Sequence, residues 1–533
     1  MSAFKPEPLP IAPQRLQPHD FSPFKITLDS IKPELITQLD ALISGKTLHQ
    51  LQLLVADKQL EYSLITIYYL WRIREYDSHL NSFIWLNPTA LKSAFHADFL
   101  RKARAHLPAP NDLFGIPIAL KDNIATDDMP NTAGAVALRD VLPKQDAFIT
   151  RKLRESGAII LGKLNMSEWA RFMSTSQPNG FSALGGQTKN PYGDQYDTCG
   201  SSSGSAVAVS AGLVPVSIGT ETSGSIICPA GFNAVIGLKP TLGLVSRDRI
   251  IPITDAQDTA GVMALHMEDI ATVLNIIHGA DDNDPLTVEA QPEAPYPTDF
   301  LDTDGLRGKR VGVIQAMTAP EIDNNAELSD DDRAKLHANL AESALEVDNI
   351  TQRLMSAGAS VVPLPIKDVE LDLIFGVLEY GLREGVNAYL KQIGSSLTLA
   401  QIIADNQADA LTRIPYGQNF LEDSQNNTLT AHEYDALVQK NRREARERLD
   451  NLLAQHGLDF IVSRNSEMST VAAMAGYPLL AVPGGYRLDG LPFGVTFMGQ
   501  FLGESAVMRA GYAYSKVGKP LRQEPILSMP TPR

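Results

Sequence analysis

Between Cys199 and Ala230 the chain reads CGSSSGSAVAVSAGLVPVSIGTETSGSIICPA, two Gly/Ser turns joined by an apolar stretch. A Gly/Ser cluster without an apolar pattern beside it is a flexible linker. Here Ala206, Val207, Ala208 and Val209 follow the first cluster at once, and Val214, Val216 and Ile218 alternate ahead of the second. The pattern predicts a glycine turn opening a buried helix, then a short strand feeding another glycine turn. Turns of that kind present hydroxyls and bare backbone N–H groups.

The flanking sequence alternates helix and strand patterns. Leu48, Leu51 and Leu54, then Leu64, Ile67, Leu70 and Ile73, recur at helical spacing within a mostly helical region from Ile31 to Ala105. Phe83, Ile84 and Trp85 form a short strand candidate. In Gly115–Asp122, Ile116, Ile118 and Leu120 share one strand face. Residues 146–157 (DAFITRKLRESG) read as a helix with a glycine stop before a strand Ala158–Leu161. Further on, Arg310–Gln315, residues 326–357 and Ala359–Leu364 read as a βαβ unit. A charged helix near 431–456 leads into strand Phe460–Val462, and Pro478–Val482 and Phe493–Phe497 are the last strand candidates. No internal repeat is evident. The expectation is one large α/β domain over 26–520, with a central mixed β-sheet flanked by helices. An extended Pro-rich arm precedes it over 1–25, an acidic surface connection interrupts it at about 281–305, and a tail follows over 521–533.

Composition excludes several classes. The 533 residues are 44% hydrophobic, enough for a large core, and carry a net charge of −16. Neither nucleic acid nor an anionic membrane suits such a chain, since phosphate neutralisation needs clustered Lys and Arg. Pro6, Pro8, Pro10, Pro13, Pro18 and Pro23 leave no room for the apolar core of a secretion signal. The longest apolar stretch, Ala206–Gly219, is too short and too broken to span a bilayer. Cys199 and Cys228 offer neither CxxC metal spacing nor a disulfide framework. They are expected to be reduced packing residues in a cytoplasmic protein. No metal or cofactor motif is present.

The chemistry candidates then narrow. Gly200–Gly204 matches G-x-S-x-G, the esterase nucleophile elbow, centred on Ser202. That motif needs a strand directly before it, yet residues 193–198 are polar and turn-like. His266 and His278 sit in no recognisable triad context. A serine nucleophile without histidine can use a lysine as its base. Lys121 ends an apolar strand, and Lys163 lies in Gly162-Lys-Leu-Asn165. Burial would bring either amine from ~10.4 toward ~7–8, where it can accept protons. The residues alone leave both open.

GIPIALKDN, CGSSSGSAVAVSAG and TETSGSIICPAGFNAVIGLKPTLGLVSR together resemble the amidase signature family. The resemblance extends over DAFITRKLRESGAIILGKLNMSEWA and MAGYPLLAVPGGYRLDGLPFGVTFMG, most of residues 60–515. It implies amide hydrolysis by a Ser–cis-Ser–Lys triad without cofactor or metal. Lys121 matches the base, Ser201 the bridging serine in a cis peptide, and Ser225 the nucleophile. The backbone N–H groups of Thr222, Ser223, Gly224 and Ser225 match the oxyanion hole. Within the family the motifs are most similar to bacterial peptide amidases, which release ammonia from C-terminal peptide amides. Two residues depart from the common pattern. Ser223 stands where Gly is usual, and Ile227 replaces a frequent Arg that would anchor a carboxylate substrate. Arg171 and Arg464 are the cations elsewhere in the sequence weighed for that role. The implied protein is a monomer or homodimer acting on a small-molecule or peptide amide. The other readings are a Ser202 esterase and an amidotransferase-type component that needs partner chains.

Overall fold

The apolar runs pair into one sheet of eleven strands. The computed structural model describes residues 14–103, 113–291, 295–296, 302–325, 329–368 and 375–527. In chain order the strands are β1 (Phe83–Leu86), β2 (Pro117–Lys121), β3 (Ile159–Leu164), β4 (Val216–Glu221), β5 (Ile236–Lys239) and β6 (Thr259–Ala264). They continue with β7 (Arg310–Ile314), β8 (Ser360–Leu364), β9 (Phe460–Arg464), β10 (Leu479–Tyr486) and β11 (Pro492–Met498). Across the sheet the order is β1-β3-β2-β4-β6-β5-β10-β11-β9-β7-β8. β2 runs parallel to β3 and β4, and β7 runs parallel to β8 and β9. The other neighbours are antiparallel, so the sheet is mixed. This is a single α/β domain with a central mixed sheet flanked by helices.

Every residue of β2, β3, β4 and β6 is buried. Pro117 and Ala119 are therefore as enclosed as Ile118 and Leu120, because helices cover both faces. Among these helices are α1 (Tyr62–Leu80), α2 (Phe148–Glu155), α3 (Ser203–Ser210) and α4 (Ile227–Phe232). α2 ends before Gly157, whose φ of +87° and closeness to Phe114 (2.6 Å from an ideal Cβ) leave no room for a side chain. The next strand runs past the expected Leu161 to Leu164, which brings Lys163 into it. Beyond the acidic connection come α5 (Asp330–Ser356), α6 (Phe375–Gln392), α7 (Ala431–His456) and α8 (Ser469–Ala475). Residues 326–328 of the expected helix lie outside the described residues.

A second apolar cluster joins Trp169 and Phe172 to Leu378, Leu382, Tyr389 and Leu421. It seats α6 over the loops that follow β3 and precede β6. The acidic connection is less superficial than its composition suggests. Asp281 accepts from Ser246 Oγ (2.6 Å), and the buried Asp284 pairs with Arg247 (2.6 Å). Residues 292–294 and 297–301 of that connection lie outside the described residues. So do residues 1–13 of the N-terminal arm and 528–533 of the tail. From Arg15 onward the arm is docked, with Arg15 Nη2 donating to Phe83 O (3.0 Å) and Leu16 N to Leu184 O (3.1 Å). No helix among the described residues is long and apolar enough to cross a membrane.

Candidate active site

β2 ends in Lys121, which has no solvent exposure. Its Nζ donates to Ser201 Oγ (2.8 Å), Ser202 Oγ (2.9 Å), Thr220 Oγ1 (2.9 Å) and Thr220 O (3.1 Å). None of these partners is charged, and burial pulls the ammonium down to about 7, with Asp258 and Glu221 opposing. Lys163 is equally buried but differently placed. It pairs with Asp122 at 3.3 Å and donates to Asn131 Oδ1 at 2.8 Å. Burial lowers its proton affinity and the Asp122 carboxylate raises it. The register explains the split. Leu120 lies opposite Lys163 and Lys121 opposite Leu164, so the two lysines leave the sheet on opposite faces.

The first Gly/Ser turn delivers Ser201 and Ser202 to Lys121 just before α3. The Gly200–Ser201 peptide is cis, and Ser201 O accepts from Ser167 N (3.1 Å). Ser202 Oγ is saturated. It accepts from Lys121 and from Thr220 N (3.2 Å) and donates to Thr220 O (3.0 Å). No strand leads into this turn, as the elbow reading requires. Neither histidine approaches it through a hydrogen bond. His266 Nε2 lies 3.0 Å from Gly45 O, and the His278 ring packs edge-on to Tyr296.

The second turn, residues 222–225, joins β4 to α4. Glu221 Oε2 accepts from Ile226 N (2.7 Å) and Ile227 N (2.9 Å), a carboxylate capping the helix start. Gly224 has φ +92°, and an ideal Cβ there would stand 3.4 Å from Ser466 Cβ. Ser202 N donates to Ser225 O (3.1 Å) and ties the two turns together. The backbone N–H groups of Ser223, Gly224 and Ser225 meet no acceptor among the described residues. Ser225 is 8% exposed, whereas Lys121 and Ser201 are fully enclosed. Its hydroxyl is bonded to no other described side chain. Ser223 accommodates its extra hydroxyl through Thr470 Oγ1, 3.0 Å away.

One expectation is overturned here. Cys199 and Cys228 are not reduced packing residues but form a disulfide, with Cα atoms 5.8 Å apart. Their separation of 29 residues along the chain hides the fact that β4 returns the backbone to the first turn. The disulfide also removes the redox argument for a cytoplasmic location. Ile227, the position of the frequent Arg, is fully buried in the main core.

Beside the turns lies a cavity of about 530 Å³, bounded by Thr220, Thr222, Arg247, Ile251, Asp258 and Tyr389. Its guanidinium groups are engaged, Arg247 by Asp284 and Arg249 by Asp248. Arg464 is held by Glu346 and Glu467, and Arg171 donates to Ser174 O (2.7 Å). No group of three or more metal-ligating side chains occurs among the described residues. Thr220, Glu221 and Asp258 belong to the site but were not singled out from the sequence. The first two stand inside the TETSG motif, which carried a signal, while Asp258 had none.

A buried amine whose proton affinity burial lowers, two linked serine turns and a row of N–H groups without described acceptors thus stand together beside the cavity. The amidase family profile matches residues 65–508, and the chain belongs to that family. It is accordingly a hydrolase of amide C–N bonds. It is 35% identical to a probable amidase of Arabidopsis thaliana over 89% of this chain and 90% of that protein. It is 33% identical to a putative amidase of Arthroderma benhamiae over 84% of this chain and 78% of that protein. Among solved structures, the native peptide amidase from Stenotrophomonas maltophilia superposes with a TM-score of 0.81 at 38% identity. That match covers 91% of this chain and 99% of the other.

Proposed function

We propose that this enzyme hydrolyses the C-terminal amides of peptides, and related uncharged carboxamides, with Ser225 as nucleophile, Ser201 as relay and Lys121 as base. The observation that carries this reading is the 2.8 Å contact between Ser201 Oγ and an amine whose proton affinity is brought to about 7. Rotation of the Ser201 hydroxyl reverses the sense of that bond, so neutral Lys121 accepts the proton of Ser201. Ser201 in turn accepts the proton of Ser225 as Ser225 Oγ attacks the carbonyl carbon. The N–H groups of Ser223, Gly224 and Ser225, with that of Thr222, stabilise the oxyanion, at roughly 3–4 kcal/mol per well-placed donor. Collapse breaks the C–N bond, and Ser201 returns the proton to the leaving nitrogen, which departs as ammonia. Water then attacks the acyl-enzyme, gives its proton along the same route, and frees the acid and Ser225.

Substrate class follows from the engaged arginines and from the peptide amidase similarity. With no unpaired guanidinium among the described residues of the cavity wall, a carboxylate on the acyl group finds no bidentate partner among them. The test compares Ser225→Ala with Ser202→Ala on one peptide amide. The reading requires loss of turnover in the first and substantial activity in the second. The opposite result would install Ser202 as the nucleophile.

A further inference from the structure

Thr222 opens the oxyanion turn and is held at both ends by two consecutive residues of the β5–β6 connection. Its hydroxyl donates to Asp258 Oδ1 at 2.5 Å, and its carbonyl accepts from Gln257 Nε2 at 3.3 Å. Asp258 is itself anchored, its Oδ2 accepting from Ile253 N (2.7 Å) and Thr254 N (3.0 Å). The three N–H groups that follow Thr222 are the ones left without acceptors. A hydrogen bond to an ionised carboxylate is about twice as strong as a neutral one, so this is a stiff attachment for a turn that must hold its donors in register.

We infer that Asp258 is a positioning residue that fixes the oxyanion turn through Thr222, its carboxylate standing on the same cavity wall as Thr220, which accepts from Lys121. The inference rests on the proposed oxyanion role of that turn. The charges around the amine are few. Asp258 and Glu221 favour the ammonium, and the Lys163–Asp122 pair nearby is internally neutral. Asp258 faces Arg247, which is ion-paired with Asp284, and loss of hydration raises its carboxyl to about 6. It is therefore mostly ionised by pH 7, where Lys121 is about half neutral, and takes up its own proton over the lower part of that range. Asp255, beside it on the cavity wall, accepts from the Tyr434 hydroxyl.

Mutation at either end tests the anchor. In Asp258→Asn the anchor is weakened and the charge removed. In Thr222→Val the anchor is lost but the charge stays. Measured on one peptide amide from pH 5 to 9, Asp258→Asn is expected to lower kcat about 10–100-fold with KM within threefold. Thr222→Val should show the same kcat loss, and Thr222→Ser, which keeps the hydroxyl, should restore the rate. Wild-type kcat in folded Asp258→Asn, or in Thr222→Val, overturns the inference. If Asp258→Asn fails to fold, the two Thr222 variants carry the test. Lys121→Ala run alongside keeps the readings distinct, since loss of the acidic limb there upholds the base whether or not Asp258→Asn lowers kcat.

Discussion

The sharpest test of the proposed chemistry is the pH dependence of Lys121 variants. A lysine at its ordinary 10.5 is about 0.03% neutral at pH 7, whereas at about 7 it is roughly half neutral. Enclosure thus raises the supply of free amine roughly a thousandfold at neutral pH, with no change in the residue. On a peptide amide, kcat/KM should climb about tenfold per pH unit below 7 and level off above about 8. Ammonia release at saturating and limiting substrate, from pH 5 to 9, measures this directly. Lys121→Ala should lose about 10²–10⁴-fold and show no limb near 7. Lys121→Arg should be no better, because a guanidinium stays protonated throughout. A limb that survives in Lys121→Ala would refute the assignment, as would a wild-type profile that rises only toward pH 10.

The Cys199–Cys228 bridge joins the two serine turns, and closing a loop of this size is worth about 3–4 kcal/mol in the chain-entropy model. Cys199→Ser/Cys228→Ser should therefore melt several degrees lower than the oxidised enzyme, and a thiol reductant should reproduce that loss. Equal melting temperatures with and without reductant would count against it. Glu168 is buried with Ala183 N as its donor, and burial raises its carboxyl from 4.5 to about 8. Ionising it opposes folding, so it costs nothing below pH 4.5 and up to about 5 kcal/mol once pH exceeds 8. Glu168→Gln should gain stability over wild type progressively between pH 5 and 8, read by urea unfolding at both ends; an unchanged difference would contradict it. For substrate choice, the amide of a blocked peptide should exceed malonamate at least tenfold in kcat/KM. A tenfold preference for malonamate would reveal a free cation in the pocket.

Much of the architecture was legible because it rests on local pattern. The apolar runs at Ile116–Leu120, Val214–Ile218 and Phe493–Phe497 became strands, and the Gly/Ser turns bracket a buried helix where the spacing placed them. Backbone preference and burial of adjacent residues suffice for such features, and both are written within ten residues of one another. The three residues matched to the family's triad were also nameable, since each stands in a short distinctive motif. Asp258 was not, because what singles it out is a contact with Thr222, 36 positions away.

Other questions turned on long-range geometry alone. Lys121 and Lys163 are alike in sequence terms, each a cation at the end of an apolar strand pattern or just beyond it. The β2–β3 register sends one toward hydroxyls and the other toward Asp122, and no local signal encodes a register. The cysteines looked like isolated small residues until β4 folded their turns together. Ile227, where the family often has Arg, packs into the core, since the direction of a side chain in a short helix depends on what packs against it. Local pattern is enough to mark strands, turns and helices and to name the residue types able to do chemistry. Which of those residues meet is a matter of the folded chain, because charge state, pairing and exposure depend on neighbours brought together from distant parts of it.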